Sequence, residues 1–116
     1  MTRLLVSIPP SLRGEIFTDL PDSSLQHHLI RSWHEAGFKP ISINTPSELK
    51  ANPSHQTALA RAGVESLQVP STGVGFPDYL PNLTAALRLA VDRFAGEVIA
   101  LTNADIHIAL QESVFT

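Results

Sequence analysis

Polar residues interrupt an apolar run near the carboxyl end of the sequence. The run Val98 to Leu101 lacks polar alternation, and Asn103-Ala104-Asp105 follows it before apolar residues resume. A short run of this kind favours a strand that is covered on both faces of a parallel sheet. Ligands of open α/β sheets bind beyond the carboxyl ends of the strands. Asp105 could therefore coordinate a divalent cation, and the amide of Asn103 could orient that carboxylate or a sugar hydroxyl. An Asx turn that reverses the chain is the structural alternative.

Two further strand ends could share the same edge of a sheet. Ser7, Ile8 and Pro9 close the first apolar run, and Asn44 closes the second. The carboxyl ends of parallel strands meet at one edge, so these residues would lie beside Asn103 and Asp105. Prolines and asparagines also end strands for purely conformational reasons, and each residue alone is open to that interpretation. Because these residues fall together at the ends of three strands, they predict a polar binding site at this edge of the sheet.

The histidines give a weaker indication of a functional site. His27 and His34 fall on the same side of a predicted helix, but no carboxylate or third histidine stands at the spacing that would complete a zinc site. We therefore interpret them as surface residues. His107 alternates with Asp105, so it would share the side of that carboxylate. It could contact a diphosphate there or face solvent as an ordinary strand residue.

The elements that would position these residues alternate along the chain. An apolar stripe predicts a helix from Ser24 to Gly37. Helix formers that alternate with breakers predict one interrupted helix between Ser47 and Ala62, which Gly63 ends. The strongest stripe predicts a third helix that begins at Pro81 or Asn82 and ends at Gly96; its apolar face comprises Leu83, Ala86, Leu87, Ala90, Val91 and Phe94. Strands are predicted at Leu4–Ile8, at Ile41–Ile43 within the segment Phe38–Asn44, at Val64–Val69 and at Val98–Leu101, and Ser11 to Ser24 is expected to form a loop.

This order of strands and helices has connections short enough for parallel crossovers. It predicts the α/β class, as a small Rossmann-like three-layer α/β/α fold with a mainly parallel four-stranded sheet. The length of 116 residues predicts a single domain, residues 1–116, which can bury roughly two-thirds of its extended-chain surface.

Composition narrows the partners and the compartment. Hydrophobic residues make up 43% of the chain and charged residues 16%, which is enough apolar material for a core. The net charge of −3 and the lack of a basic run argue against nucleic acid as a partner. Without cysteines the chain has neither disulfides nor thiolate metal sites. The apolar run near the amino terminus is too short for a signal peptide or a membrane span, so we expect a cytoplasmic protein.

Three segments of the sequence together resemble the amino-terminal half of bacterial nucleotide-sugar glycosyltransferases with the GT-A fold. The segments are LLVSIPPSL, SLQHHLIRSWHEAGFKPISINTPSEL and EVIALTNADIHI, and the similarity runs from Arg3 to about Ile108. The resemblance implies a truncated GT-A-like fold that binds a nucleotide-diphosphate sugar. It also implies that Ser7, Ile8 and Pro9 line the base pocket and that Asn44 approaches the ribose or the base.

The same resemblance implies that Asp105 binds Mn²⁺ or Mg²⁺, which would bridge the sugar diphosphate. The family motif is usually Asp-x-Asp, and Asn103 stands at its first position, which removes one negative charge. The acceptor-binding half and its catalytic base do not follow within the 116 residues, so catalytic residues stay unassigned. We expect transferase activity only if another chain or a missing half completes the site.

A second hypothesis is a non-catalytic α/β remnant that acts as a protein-interaction or self-associating module. Half of a fold would leave a sheet edge uncovered, and Val114-Phe115 gives the chain an apolar tail. Both features would favour a homo-oligomer.

Overall fold

The computed structural model describes residues 2–12, 15–16, 24–72 and 81–102 of the chain. In chain order the elements are β1 (Thr2–Val6), β2 (Ser11–Leu12), β3 (Glu15–Ile16), α1 (Leu25–Glu35), β4 (Phe38–Asn44), α2 (Pro46–Ala51), α3 (His55–Arg61), β5 (Glu65–Gln68), α4 (Leu83–Arg93) and β6 (Val98–Thr102). None of the helices in these residues is long and apolar enough to cross a membrane.

A four-stranded sheet with the order β5-β4-β1-β6 forms the centre of the fold, and its three strand pairs are all parallel. β1 pairs with β4 from Thr2 opposite Phe38 onward, and with β6 from Thr2 opposite Val98 onward. Along the chain, β1, β4 and β5 take successive positions towards one side of the sheet, and β6 then pairs with the opposite side of β1. The predicted parallel α/β architecture is therefore confirmed.

Side chains of β1 alternate between the two faces of the sheet and divide the core into two halves. Leu4 and Val6 pack with residues of α1 and α3, among them Trp33, which is fully buried. Leu5 packs on the opposite face with Ala86 and other residues of α4. Because apolar side chains are buried on both faces, the fold has three layers, with α1 and α3 on one side and α4 on the other.

Local signals in the sequence account for the helix boundaries. The side chains of Ser24, Thr45 and Asn82 each accept a hydrogen bond from a backbone N–H in the first turn of α1, α2 and α4. The predicted interruption between Ser47 and Ala62 separates α2 from α3. Glycines with positive φ follow three of the helices: Gly37 at 88°, Gly63 at 78° and Gly96 at 84°.

Two parts of the structure differ from the prediction. Within the expected loop, β2 pairs with β3 to form a short antiparallel ribbon. The predicted apolar face of α4 is also wider than the contact that α4 makes. Ala86, Ala90 and Phe94 are buried, but the neighbouring Leu83, Leu87 and Val91 are exposed. These three leucine and valine residues recur every fourth position, so they form a row beside the one that faces the sheet.

Candidate functional site

The carboxyl edge of the sheet brings two predicted site residues into direct contact. Asn44 is the last residue of β4, and Ile8 follows β1 by two residues; both are buried. The Asn44 Nδ2 group donates a hydrogen bond of 2.9 Å to the Ile8 carbonyl. Ser7 and Pro9, on either side of Ile8, are half-buried. The ends of β1 and β4 are thus joined by a side chain, beyond the hydrogen bonds of the sheet itself.

Ser42 completes a closed set of hydrogen bonds around Ile8. The Ile8 N–H donates to Ser42 Oγ over 3.2 Å, and the Ser42 hydroxyl donates to Asn44 Oδ1 over 2.7 Å. Ser42 and Asn44 are two residues apart in β4, so their side chains project from the same face of the sheet. Both polar groups of the Ile8 backbone are therefore satisfied by two buried side chains of the neighbouring strand.

His55 contacts the same carbonyl from the first position of α3. Its Nε2 atom lies 2.8 Å from the Ile8 oxygen. Because a carbonyl can only accept, Nε2 carries the hydrogen in this contact. Burial lowers the pKa of His55, and the hydrogen bond to Ile8 acts in the opposite direction with a smaller effect. The imidazole is therefore held in its neutral form within the core.

Glu48 is a buried carboxylate close to this set of hydrogen bonds. Its Oε1 atom accepts from the backbone N–H of Thr45 over 3.1 Å, while Thr45 Oγ1 accepts from the Glu48 N–H over 3.3 Å. This reciprocal pair is a capping box at the start of α2. Burial raises the pKa of the Glu48 carboxyl, and the contacts with Thr45 and Asn44 partly offset that effect. Glu48 thus already has a structural role as a helix cap.

Together these side chains form the carboxyl-edge network, which comprises Ser42, Asn44 and His55 around the backbone of Ile8. All three are neutral and buried. Such a network fixes the position of the segment that follows β1, because displacing that segment would leave several buried polar groups without partners. Ile8 and Asn44 therefore build the edge, and a direct role for them in binding a nucleoside stays a prediction.

The other half of the predicted site lies at the end of β6. Thr102, the last residue of β6, is in register with Val6 of β1. Asn103 and Asp105 lie outside the residues that the structure describes, so the predicted metal ligand stays a prediction. Within the described part of the chain, no three histidine, cysteine, aspartate or glutamate side chains are close enough together to hold a metal ion.

Ser42 and His55 were not singled out by the sequence analysis. Ser42 lies between two isoleucines in an apolar strand. The signal that the sequence offers for its role is a polar residue on one face of that strand. His55 contacts a residue 47 positions earlier, and nothing in its local sequence indicates that partner. Three-dimensional contact alone identifies its role.

Comparison with known proteins adds no relative. The chain matches no protein-family model, no curated protein and no solved structure.

Proposed function

We propose that this chain binds a nucleotide-diphosphate sugar, together with Mn²⁺ or Mg²⁺, at the carboxyl edge of its sheet. The observation that supports this function is the strand order. The chain builds β1, β4 and β5 outward in one direction and then places β6 on the other side of β1. In open α/β sheets, a ligand crevice forms outside the carboxyl ends of the strands where the order reverses. Here that position lies between the ends of β1 and β6.

The residues on the two sides of this crevice would have different roles. On the β1 side, the carboxyl-edge network holds the backbone of Ile8 in place, and the half-buried Ser7 and Pro9 would contact the nucleoside. On the β6 side, the sequence continues from Thr102 directly into Asn103-Ala104-Asp105. A rigid nucleoside contact beside an oxygen-rich metal contact is the arrangement that a nucleotide-sugar donor requires.

One carboxylate and one amide are compatible with the proposed cation. Mg²⁺ is commonly held by one or two carboxylates together with phosphate oxygens of the substrate. Asp105 would supply the carboxylate, and the Asn103 amide oxygen would assist. The bound metal would neutralise the diphosphate as the sugar is transferred. The acceptor and a catalytic base would come from another chain or a further domain.

Calorimetry tests the donor site directly. We expect the wild-type chain to bind UDP- or GDP-sugars more tightly with Mn²⁺ than without it, and Asp105→Ala to lose the metal-dependent part of the affinity. Asp92→Ala is a matched control, since Asp92 is an exposed residue of α4. The proposal is wrong if the wild type binds no nucleotide sugar, or if Asp105→Ala and Asp92→Ala bind equally well.

A second candidate function is self-association through the outer edge of β6. Among the described residues, β6 pairs with β1 alone, and Val98 and Leu101 are exposed by 64% and 46%. An unpaired edge with apolar side chains can pair with an identical edge around a two-fold axis. The exposed row Leu83, Leu87 and Val91 on α4 adds further apolar surface. We therefore propose a second copy of this chain as the partner.

Light scattering with variants tests this association. We expect a wild-type dimer and a monomeric Val98→Lys variant, because the introduced charge would be buried between two edges. Leu25→Lys is the matched control, since Leu25 on α1 is exposed by 63% and lies away from β6. A wild-type monomer at high concentration would contradict self-association.

A further inference from the structure

A buried amide side chain interrupts the apolar face of α1 in the first turn of the helix. Leu29, Ile30 and Trp33 on this face pack in the core, and Gln26 precedes them by one turn. Gln26 is only 5% exposed. Among the described residues, neither its Nε2 atom nor its Oε1 atom has a hydrogen-bond partner. The side-chain amide has two donor hydrogens and an acceptor oxygen, so its burial costs stability that burial of an apolar residue would not cost.

Other buried polar side chains of the fold are paired with protein groups. Ser42, Asn44 and Thr45 are as deeply buried as Gln26, and each takes part in a hydrogen bond within the chain. A buried polar group without such a bond calls for a partner from outside the chain, either a water molecule or a ligand. Gln26 is therefore available for recognition of a bound molecule.

The direction of α1 places Gln26 towards the carboxyl edge of the sheet. β4 begins at Phe38, at the amino edge, and α1 ends three residues before it. The first turn of α1 consequently lies towards the opposite edge. Leu29 packs in the same cluster as Ile8, and Gln26 stands one turn beyond Leu29. Side chains of a helix lean towards its N-terminus, which directs the Gln26 amide towards the strand ends.

We propose that the Gln26 amide recognises the nucleobase of the nucleotide-sugar donor, an inference that rests on the proposed function. The amide presents an N–H donor beside a carbonyl acceptor in one plane. Uracil and guanine each present an N–H group beside a carbonyl oxygen, so either base can form two parallel hydrogen bonds with a glutamine. The base would then lie between the first turn of α1 and the segment Ser7 to Pro9 at the end of β1.

Nuclear magnetic resonance titration of the full chain with uridine monophosphate and guanosine monophosphate tests this contact. Both are titrated without a divalent cation, so that Asp105 does not contribute. At about pH 8, where the positive end of α1 favours an ionised carboxylate, Gln26→Glu should raise the ratio of guanosine to uridine affinity at least about tenfold. A carboxylate can only accept hydrogen bonds. Guanine offers it two adjacent N–H groups, whereas uracil offers one N–H group between two carbonyls.

Gln56→Glu is the matched control, because Gln56 is also the second residue of its helix, α3, and is exposed. This variant should leave the ratio of the two affinities unchanged. An unchanged ratio in Gln26→Glu, or a wild-type chain that binds neither nucleotide, would overturn the base contact. If nucleotide-sugar binding proved independent of Asp105, the ratio would be unaffected, so the two proposals can fail separately.

Gln26→Leu provides a second test that does not depend on an introduced charge. It replaces the unpaired amide with an apolar side chain of similar size, so the midpoint of urea denaturation should be no lower than that of the wild type. Both nucleotides should bind at least about fivefold more weakly, because both hydrogen bonds to the base are lost. A lower midpoint would show that the amide has a structural partner, such as an ordered water, and would overturn the proposal.

Discussion

The two edges of the central sheet are held together by different chemistry. At the amino edge, Arg3 forms ion pairs of 2.9 Å with Glu65 and 3.0 Å with Glu97, and its guanidinium carbon lies 4.3 Å from the centre of the Phe94 ring. At the carboxyl edge, neutral side chains surround the backbone of Ile8 in the carboxyl-edge network. The amino edge thus uses formal charges, and the carboxyl edge uses buried neutral hydrogen bonds.

The two edges differ in the groups that lose a partner when one side chain is removed. The carboxylates of Glu65 and Glu97 keep side-chain exposures of 47% and 27%, so water can replace Arg3. The Arg3 side chain is 12% exposed, but its partners stay in contact with water, and ion pairs of that kind typically contribute about 1 kcal/mol or less. The carboxyl-edge network is buried, and an orphaned group there costs about 1 to 3 kcal/mol. The edge that we propose for ligand binding is therefore the one whose geometry is more costly to disturb.

The largest effect is expected from Asn44→Ala. This change removes the acceptor of the Ser42 hydroxyl and one donor to the Ile8 carbonyl, and it leaves a small cavity. We expect the free energy of unfolding to fall by about 2 to 3 kcal/mol, as measured by urea denaturation. Asn52→Ala is the control, since half-buried Asn52 donates to the Glu48 carbonyl at the end of α2. If both variants lost the same free energy of unfolding, the carboxyl-edge network would be no more costly to disturb than the half-buried hydrogen bond of Asn52.

At the amino edge, the turns between helices and strands allow a matched comparison of glycines. Gly63→Ala and Gly37→Ala each place a side chain at positive φ, and each should cost about 1 to 2 kcal/mol in urea denaturation. Only the alanine at position 63 would approach another group, the flexible His34 ring. We therefore expect similar stabilities but a larger shift of the His34 ring resonances in Gly63→Ala than in Gly37→Ala, where only the backbone of His34 is contacted. An unchanged His34 spectrum in that variant would contradict the close approach.

The same two edges explain how much the sequence reveals. Gly37, Gly63 and Gly96 were predicted to end helices because the signal for such a turn is local. The meeting of Ile8 with Asn44 followed from the parallel sheet, which brings residues 36 positions apart to one edge. His55 joins them through a contact that neither periodicity nor turn chemistry encodes. The exposed row on α4 also escaped prediction, because an apolar pattern does not state how much of a face another layer covers.

The pH dependence of stability isolates His55 within the carboxyl-edge network. The pKa of His55 is lowered from its usual 6.5, so below that pH the unfolded chain binds a proton that the folded chain does not. Stability should therefore fall as the pH decreases from 6.5, by up to about 1.4 kcal/mol per pH unit. Urea denaturation at several pH values should show this slope in the wild type and its loss in His55→Gln.

Glu48 has the opposite effect and offers an internal check. Its pKa is raised from 4.5, so the stability that the protonated carboxyl provides is lost as the pH rises above that value. Glu48→Gln keeps an oxygen acceptor for the helix cap and removes this titration. The fall in stability towards acid should then be steeper than in the wild type. If neither His55→Gln nor Glu48→Gln changed the slope of stability against pH, the titrating groups would be other residues.

The smallest effect is expected from Arg3→Gln at the amino edge. Loss of the two ion pairs should lower the free energy of unfolding by about 1 kcal/mol at low salt, and by less near 1 M NaCl, where the Debye length is about 3 Å. Arg93→Gln is the control, because Arg93 lies 5.5 Å from the same Phe94 ring and that change leaves both ion pairs of Arg3 intact. If Arg3→Gln cost as much as Asn44→Ala and the cost did not depend on salt, buried packing would outweigh charge at the amino edge. The contrast between the two edges would then disappear.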